Sequence, residues 1–125
     1  MKKKLLLLIE DNPLLTGMYK IAFEKRGVEL SIAHDGESGL KLAKDEKPDA
    51  ILLDLLMPGM DGYEVLEKVR KDKEISDIKV VILTVLSDEE HKKKAKDLGA
   101  NDYLVKSELE LHEIVDKVIE HLKDK

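Results

Sequence analysis

Five polar residues each follow a short apolar segment of the chain, and together they carry three carboxylates, a hydroxyl and an ammonium group. They are Glu10, Asp11, Asp54, Thr84 and Lys106. A carboxylate is ionised at neutral pH and can attack a phosphorus atom without a general base. A hydroxyl and an ammonium group can stabilise the oxygens of a phosphoryl group. If these side chains meet in the folded chain, the chemistry they favour is transfer of a phosphoryl group to Asp54.

Each of these residues has a simpler interpretation when taken alone. Asp11 or Asn12 could cap a helix, Thr84 could end a strand with a local hydrogen bond, and Lys106 could be a solvated lysine. The interpretation as a site therefore depends on whether the fold brings all five residues to one place.

The composition fits one domain and excludes several kinds of site. The chain has 125 residues with 42% hydrophobic content, enough for a core without disulfide or zinc support. It has no cysteine, which excludes catalytic thiols, thiolate metal sites and disulfides. With 22 basic and 27 acidic residues the net charge is −5, so direct nucleic-acid binding is not expected. No apolar run approaches the roughly 18 residues of a membrane span, and we expect a cytoplasmic protein with no membrane partner.

Short apolar runs alternate with segments of helical periodicity along the chain. Runs 5–9, 50–53 and 80–83 are almost continuously aliphatic, as expected of parallel strands buried on both faces. Residues 28–33 alternate, which predicts an edge strand, and residues 103–105 form the fifth run. Helices are predicted at about residues 13–26, 36–46, 62–72 and 88–98, and along the apolar stripe from Leu111 to Leu122.

Capping residues support these boundaries. Asn12 stands before a proline and predicts the start of helix 1, and Gly27 predicts its left-handed end. Asp61 is placed to cap helix 3. Ser87 and Ser107 each have a glutamate three residues later, the spacing of a capping box, which predicts the starts of helices 4 and 5.

Five strand–helix repeats predict an α/β fold. The expected architecture is a doubly wound, five-stranded parallel sheet of order 2-1-3-4-5 in a flavodoxin-like three-layer sandwich. Ligands in such folds bind beyond the carboxyl ends of the strands where the strand order reverses, here between strands 1 and 3. All five polar residues follow strands at that edge.

The same order predicts a metal site. Asp11 and Asp54 would end neighbouring strands about 4.8 Å apart. Two unit charges at 5 Å repel by roughly 3 kcal/mol at an effective dielectric near 20, so a cation is expected between them. Oxygen ligands favour Mg²⁺ over zinc, and none of the four histidines is predicted to be a ligand.

The segments that contain these residues resemble the receiver domain of two-component response regulators, and in particular its stand-alone, chemotaxis-regulator-like form. The resemblance extends over essentially the whole chain, residues 1–125. It is carried by residues 9–12 (IEDN), 53–62 (LDLLMPGMDG), 83–84 (LT) and 99–106 (GANDYLVK).

The resemblance implies a signalling switch rather than an enzyme acting on other substrates. Asp54 would accept a phosphoryl group from a phosphohistidine of a sensor histidine kinase or a histidine phosphotransfer protein. Glu10, Asp11, Asp54 and the backbone carbonyl of Leu56 would arrange Mg²⁺, with Lys106 as the counter-charge.

The resemblance also implies how the signal leaves the site. Thr84 would move toward the phosphoryl group, and Tyr103 would turn inward behind it. The face made by helix 4, strand 5 and helix 5 would then change its affinity for a downstream protein. Residues 88–98 are mostly charged, so we expect little apolar burial to hold helix 4 and weaker protection from hydrogen exchange than in helix 1.

Two positions depart from the family pattern. Val85 stands where a small residue is usual, and its bulk could restrict access to the site or the movement of Thr84. Ser107 replaces a proline, so we expect a trans bond after Lys106 with an altered loop, or a strained bond. If the apolar side chains of Leu56 and Leu86 exclude water, the phosphorylated form should be long-lived.

Three alternatives remain open at this point. A receiver-like interaction module without phosphorylation would keep the fold and lose the chemistry. A magnesium-dependent phosphohydrolase would usually have a second aspartate two residues after the first, where this chain has Leu56. A flavin-binding protein would be hindered by the acidic loop after strand 1, which repels a phosphate.

Overall fold

A computed structural model describes residues 3–123 of the chain. It contains five parallel strands in the order β2-β1-β3-β4-β5, as predicted. The ends of the predicted domain, residues 1–2 and 124–125, lie outside the described residues. The strands are β1 (Leu5–Ile9), β2 (Glu29–Ala33), β3 (Ala50–Leu53), β4 (Lys79–Thr84) and β5 (Asp102–Val105). The helices are α1 (Pro13–Lys25), α2 (Gly36–Glu46), α3 (Gly62–Lys71), α4 (Glu89–Asp97) and α5 (Leu111–Lys123).

The sheet separates two apolar cores. Strands β1 and β3 are aliphatic on both faces because helices cover both sides of the sheet. Alternate residues of β1 belong to different cores: Leu6 and Leu8 pack with α1 and α5, while Leu7 and Ile9 pack with α2 and α3. The chain therefore forms the predicted three-layer sandwich.

The predicted starts of α1 and α3 and the end of α1 are confirmed. The Asn12 side chain accepts hydrogen bonds from the backbone N–H groups of Leu14 and Leu15, and Asp61 accepts one from Glu64. Gly27 has a φ of 80°, which a residue with a side chain rarely adopts.

The predicted caps of α4 and α5 were wrong. The first helical bonds of α4 run from His91 and Lys92 to the Asp88 carbonyl, so Asp88 is the N-cap and Ser87 lies outside the helix. Residues Lys106–Glu108 form a separate 3₁₀ turn that contains Ser107. Glu110 precedes α5 instead, and its backbone N–H donates to the Glu113 carboxylate at 2.8 Å.

The bond after Lys106 has the first of the two expected forms. No peptide bond is cis within the described part of the chain. The bond between Lys106 and Ser107 is therefore trans, and both residues lie in the 3₁₀ turn. The alteration of the loop stays a prediction. No helix between residues 3 and 123 has the length and apolar character needed to cross a membrane.

Candidate functional site

The reversal of strand order places Glu10, Asp11 and Asp54 together. Ile9 is the register partner of Leu53, so the residues that follow β1 and β3 leave the sheet side by side. One carboxylate oxygen from each of the three acids lies within 4.8 Å of the others. Glu10 and Asp54 are only 2% and 6% exposed, while Asp11 is exposed to solvent.

Lys106 brings positive charge to these acids from the end of β5. Its Nζ lies 2.8 Å from Glu10 Oε1 and 3.2 Å from Asp54 Oδ2. Burial raises the pKa of the Glu10 carboxyl, although the hydrogen bond from Lys106 opposes this rise. Burial also acts to lower the pKa of Lys106, but the Glu10 hydrogen bond and the Asp54 charge outweigh it and raise that pKa. Lys106 is therefore held as a cation between two buried carboxylates.

The residues present fit a hard divalent cation. Three carboxylates face one ammonium group, so the cluster carries excess negative charge when all four groups are ionised. The grouped donor atoms are all oxygens, as Mg²⁺ prefers. His34 also reaches this edge, with Nδ1 3.2 Å from the Glu10 carbonyl oxygen, but its side chain is not part of the carboxylate cluster.

The loop after Asp54 is held close to the end of β3. The backbone N–H of Leu56 donates to Asp54 Oδ1 at 3.1 Å, and the N–H of Gly62 donates to the Leu55 carbonyl. A Cβ on Gly62 would lie 2.4 Å from the Asp54 carbonyl oxygen, so only glycine allows this approach. The start of α3 is thereby fixed against the end of β3.

Thr84 and Tyr103 both contact Leu86 in the loop between β4 and α4. The completely buried Thr84 accepts a long hydrogen bond, 3.4 Å, from the Leu86 backbone N–H. The Tyr103 hydroxyl donates to the Leu86 carbonyl at 2.7 Å. The two predicted switch residues therefore contact the same short loop from β4 and β5. Their movement stays a prediction.

The apolar residues beside the site do not close it off from solvent. Val85 is 54% exposed and Leu56 is 49% exposed, while Leu86 is partly buried. The effect of Val85 and the long lifetime of a phosphorylated form stay predictions.

Comparison with known proteins identifies the family. A family model described as the response regulator receiver domain matches residues 6–119. The chain belongs to this family. This receiver is 41% identical to protein PilH of Pseudomonas aeruginosa over 103 residues, 81% of this chain and 84% of PilH. The receiver also resembles chemotaxis protein CheY4 of Vibrio cholerae, with a TM-score of 0.88 and 25% identity over 95% of this chain and 98% of that one.

Other relatives of the receiver are longer. The DNA-binding dual master transcriptional regulator RpaA of Synechocystis is 39% identical over 101 residues, which make up 81% of this chain and 42% of RpaA. The receiver spans about two fifths of that regulator. Family membership makes the chain a phosphoacceptor in two-component signal transduction, a switch rather than a conventional enzyme.

Three features of the receiver were missed by sequence reasoning. Tyr63 and His91 form a contact between α3 and α4, and Arg70 binds several carbonyls beyond the end of α3. Nothing in their local sequence signals either contact. The third feature is an exposed apolar stripe on α1, and it did have a signal, because three apolar residues recur at i, i+4 and i+7 spacing beside those that pack inward. The stripe comprises Leu14, Met18 and Ile21, at 81%, 47% and 60% exposure.

Proposed function

We propose that residues 1–125 form one receiver domain in which Asp54 accepts a phosphoryl group from a phosphohistidine. A carboxylate oxygen of Asp54 forms a bond to phosphorus while the phosphorus–nitrogen bond breaks, and the electron pair leaves with the histidine imidazole. The observation that carries this proposal is the Asp54 carboxylate itself. It is buried at the end of β3, with one oxygen bound to the Leu56 N–H and the other to the Lys106 ammonium.

The side chains around Asp54 have distinct roles in this proposal. Glu10, Asp11, Asp54 and the Leu56 carbonyl would hold Mg²⁺, which supplies positive charge against the phosphoryl oxygens. Lys106 supplies the same kind of charge from β5. The Thr84 hydroxyl donates a hydrogen bond to a phosphoryl oxygen and releases its contact with Leu86.

The switch follows from the shared loop. When Thr84 turns toward the phosphoryl group, Leu86 loses one contact, and Tyr103, which is bound to the Leu86 carbonyl, turns inward. The face made by α4, β5 and α5 then changes its affinity for a downstream protein. The receiver catalyses only its own phosphorylation and dephosphorylation, and it does not bind nucleic acid directly.

The donor is a sensor histidine kinase or a histidine phosphotransfer protein in the cytoplasm. The apolar stripe of α1 supports a protein donor, because Leu14 lies in the first turn after Asp11 and the stripe continues from there along the helix. Exposed apolar side chains next to a reactive carboxylate are suited to binding a protein surface. Nothing among the relatives favours the alternative of a receiver-like module without phosphorylation.

A mass measurement tests the proposal. The protein is incubated with acetyl phosphate or phosphoramidate and Mg²⁺, and we expect a mass gain of one phosphoryl group that Asp54→Asn abolishes. Asp61→Asn is the matched control, because it lies in the same loop and asparagine can still cap α3. No gain with either donor, or a gain that persists in Asp54→Asn, would contradict the proposal.

A further inference from the structure

Helix α4 is held mainly by polar contacts rather than by apolar burial. Ala95 is its one fully buried side chain, and its N-cap Asp88 makes no side-chain hydrogen bond. Since little apolar area fixes the helix, the few polar contacts that join it to the rest of the fold determine how it can move.

Arg70 fixes the C-terminal end of α4. Its Nε and Nη2 donate to the Gly99 carbonyl at 3.0 and 2.8 Å, immediately beyond the helix. Its Nη1 donates to the carbonyls of Ser76 and Ile78, and its Nη2 also donates to Asn101 Oδ1. The Asn101 oxygen in turn accepts from the Val80 N–H of β4. Arg70 therefore ties this end of α4 to α3 and to the sheet through several bonds with little freedom.

Tyr63 provides a weaker contact near the N-terminal end. Its hydroxyl lies 2.6 Å from His91 Nδ1, and its ring stacks on the His91 ring at 6.1 Å between centroids. The Lys94 ammonium lies 4.1 Å from the centre of the Tyr63 ring. The Tyr63 hydroxyl also donates a long hydrogen bond, 3.5 Å, to the His91 carbonyl. Since only the bond to Nδ1 is short and the groups are partly exposed, these contacts break at lower cost than the five hydrogen bonds of Arg70.

The loop that carries Leu86 enters α4 at this weaker end. Thr84 and Tyr103 both contact Leu86, two residues before the N-cap Asp88. A movement of Thr84 or Tyr103 therefore acts first on the end held by Tyr63.

We propose that α4 is hinged by Arg70 at its C-terminal end and latched by Tyr63 at its N-terminal end. Opening the latch lets the first turns of α4 swing while Gly99 stays in place. The hinge and the latch are properties of the unphosphorylated protein. Only the statement that phosphorylation opens the latch rests on the proposed roles of Asp54, Thr84 and Tyr103.

Native-state hydrogen exchange tests the asymmetry without any phosphoryl group. In Tyr63→Phe, which keeps the ring, we expect the amides of His91 and Lys92 to exchange roughly three- to tenfold faster, the effect of losing one short and one long hydrogen bond of the hydroxyl. The amides of Leu98 and Gly99 should not change. In Arg70→Lys those two amides should accelerate by roughly tenfold or more, because the Gly99 carbonyl loses two donors. The matched control is Glu90→Gln on the exposed side of α4, which should alter neither end.

Equal acceleration of both ends in Tyr63→Phe would overturn the proposal, since α4 would then open as one unit. Unchanged Leu98 and Gly99 amides in a folded Arg70→Lys variant would overturn it as well. If Arg70→Lys does not fold, a second measurement still tests the proposal. That measurement uses labels on α4 in a protein that keeps Arg70.

The absence of native cysteine allows a single fluorine label at Glu90→Cys or at Lys96→Cys, two exposed positions toward opposite ends of α4. On addition of acetyl phosphate and Mg²⁺ we expect the fluorine resonance at position 90 to shift and the one at position 96 to stay. In the unphosphorylated Tyr63→Phe protein, the resonance at position 90 should already be shifted in the same direction, by part of the amount expected on phosphorylation. Equal shifts at the two positions would contradict the hinge. If no phosphoryl group is taken up, the proposed function fails, and the exchange pattern alone decides on the hinge and latch.

Discussion

The Lys106 ammonium contacts the two buried carboxylates of the site, at 2.8 Å from Glu10 and 3.2 Å from Asp54. Asp11 is the third carboxylate, is exposed, and has no ion pair among residues 3–123. Lys106 therefore offsets the charge of its two partners more fully than it offsets that of Asp11.

Asp11→Asn should consequently raise stability in a chelator and remove the response to magnesium. We expect the free energy of unfolding in EDTA to rise by about 1 kcal/mol, since one like charge near the other acids is removed. Millimolar Mg²⁺ should raise the melting temperature of the wild-type protein but leave that of the variant almost unchanged. Glu67→Gln, an exposed change on α3, is the control and should have neither effect. A less stable Asp11→Asn protein in EDTA would contradict this account of the charges.

Tyr103 should make stability depend on pH at the alkaline end. Burial raises the pKa of its phenol from 10.0 to about 12. The folded state favours the neutral phenol. Its contribution to the free energy of unfolding is therefore complete below about pH 10 and is lost as pH rises through about 12. The titration can be followed by ¹³C NMR of the labelled Tyr103 ring, and the stability by urea unfolding of wild type and Tyr103→Phe. A Tyr103 titration at its ordinary pKa would show that the phenol is freely solvated.

The individual site residues were predictable, but their contacts were only partly so. Glu10, Asp11, Asp54, Thr84 and Lys106 are recognisable because each lies at or within two residues of the carboxyl end of a strand, and parallel strands end at a common edge. The Tyr63–His91 contact joins residues 28 apart on two helices, and the Arg70–Gly99 contact joins residues 29 apart. Such contacts depend on the packing of one helix beside another, which residue spacing within a helix does not determine.

At the scale of the elements, two glycines inside or at the start of helices have opposite roles. A Cβ added to Gly17 in the exposed middle of α1 meets no atom within 4 Å. A Cβ on Gly62 at the start of α3 would meet the backbone of Asp54 and Leu55 at 2.4 and 2.7 Å.

Gly17→Ala should therefore stabilise the protein, and Gly62→Ala should destabilise it. We expect a gain of about 0.5–1 kcal/mol for Gly17→Ala, because alanine loses less backbone entropy in a helix. Gly62→Ala should cost about 2–4 kcal/mol through displaced backbone and should slow phosphorylation of Asp54. Urea unfolding of the two variants and the rate of mass gain with acetyl phosphate measure these effects. A stable, fully active Gly62→Ala protein would mean that the loop after Asp54 adjusts freely.

The strands β1 and β3 and the starts of α1, α2 and α3 were predicted to the residue, whereas the caps of α4 and α5 were not. A parallel strand buried on both faces must be aliphatic throughout, so β1 and β3 match their predicted bounds. The start of α4 depends instead on which carbonyl accepts the first helical bonds, and both Ser87 and Asp88 are suitable caps. The 3₁₀ turn at Lys106–Glu108 could not be predicted, because it follows from how β5 leaves the sheet.

At the scale of the whole molecule, one sheet carries two cores that share no side chain. Leu8 belongs to the core under α1 and α5, and Ile51 belongs to the core under α2 and α3. Both residues are at most 1% exposed, and they lie on adjacent strands.

Leu8→Ala and Ile51→Ala should each destabilise the same single unfolding transition. We expect a loss of about 2–5 kcal/mol in either case, from lost burial and the cavity left behind. We expect neither core to be stable alone, since each packs against the sheet that the other also needs. Circular dichroism and tyrosine fluorescence during urea unfolding should therefore coincide in both variants. Leu14→Ala, at an 81% exposed position, is the control and should change stability by less than about 0.5 kcal/mol. Two separate transitions would show that the cores unfold independently.

The ion pairs of Lys106 join it to partners 96 and 52 residues earlier in the chain. During synthesis on the ribosome, Glu10 and Asp54 emerge long before the lysine that must sit between them. The sheet must close around its last strand before the three groups meet, and contacts of such long range form late in folding. A half-made chain therefore lacks the ion pairs that hold Glu10 and Asp54 beside Lys106, and the proposed acceptor site is complete only once folding is finished.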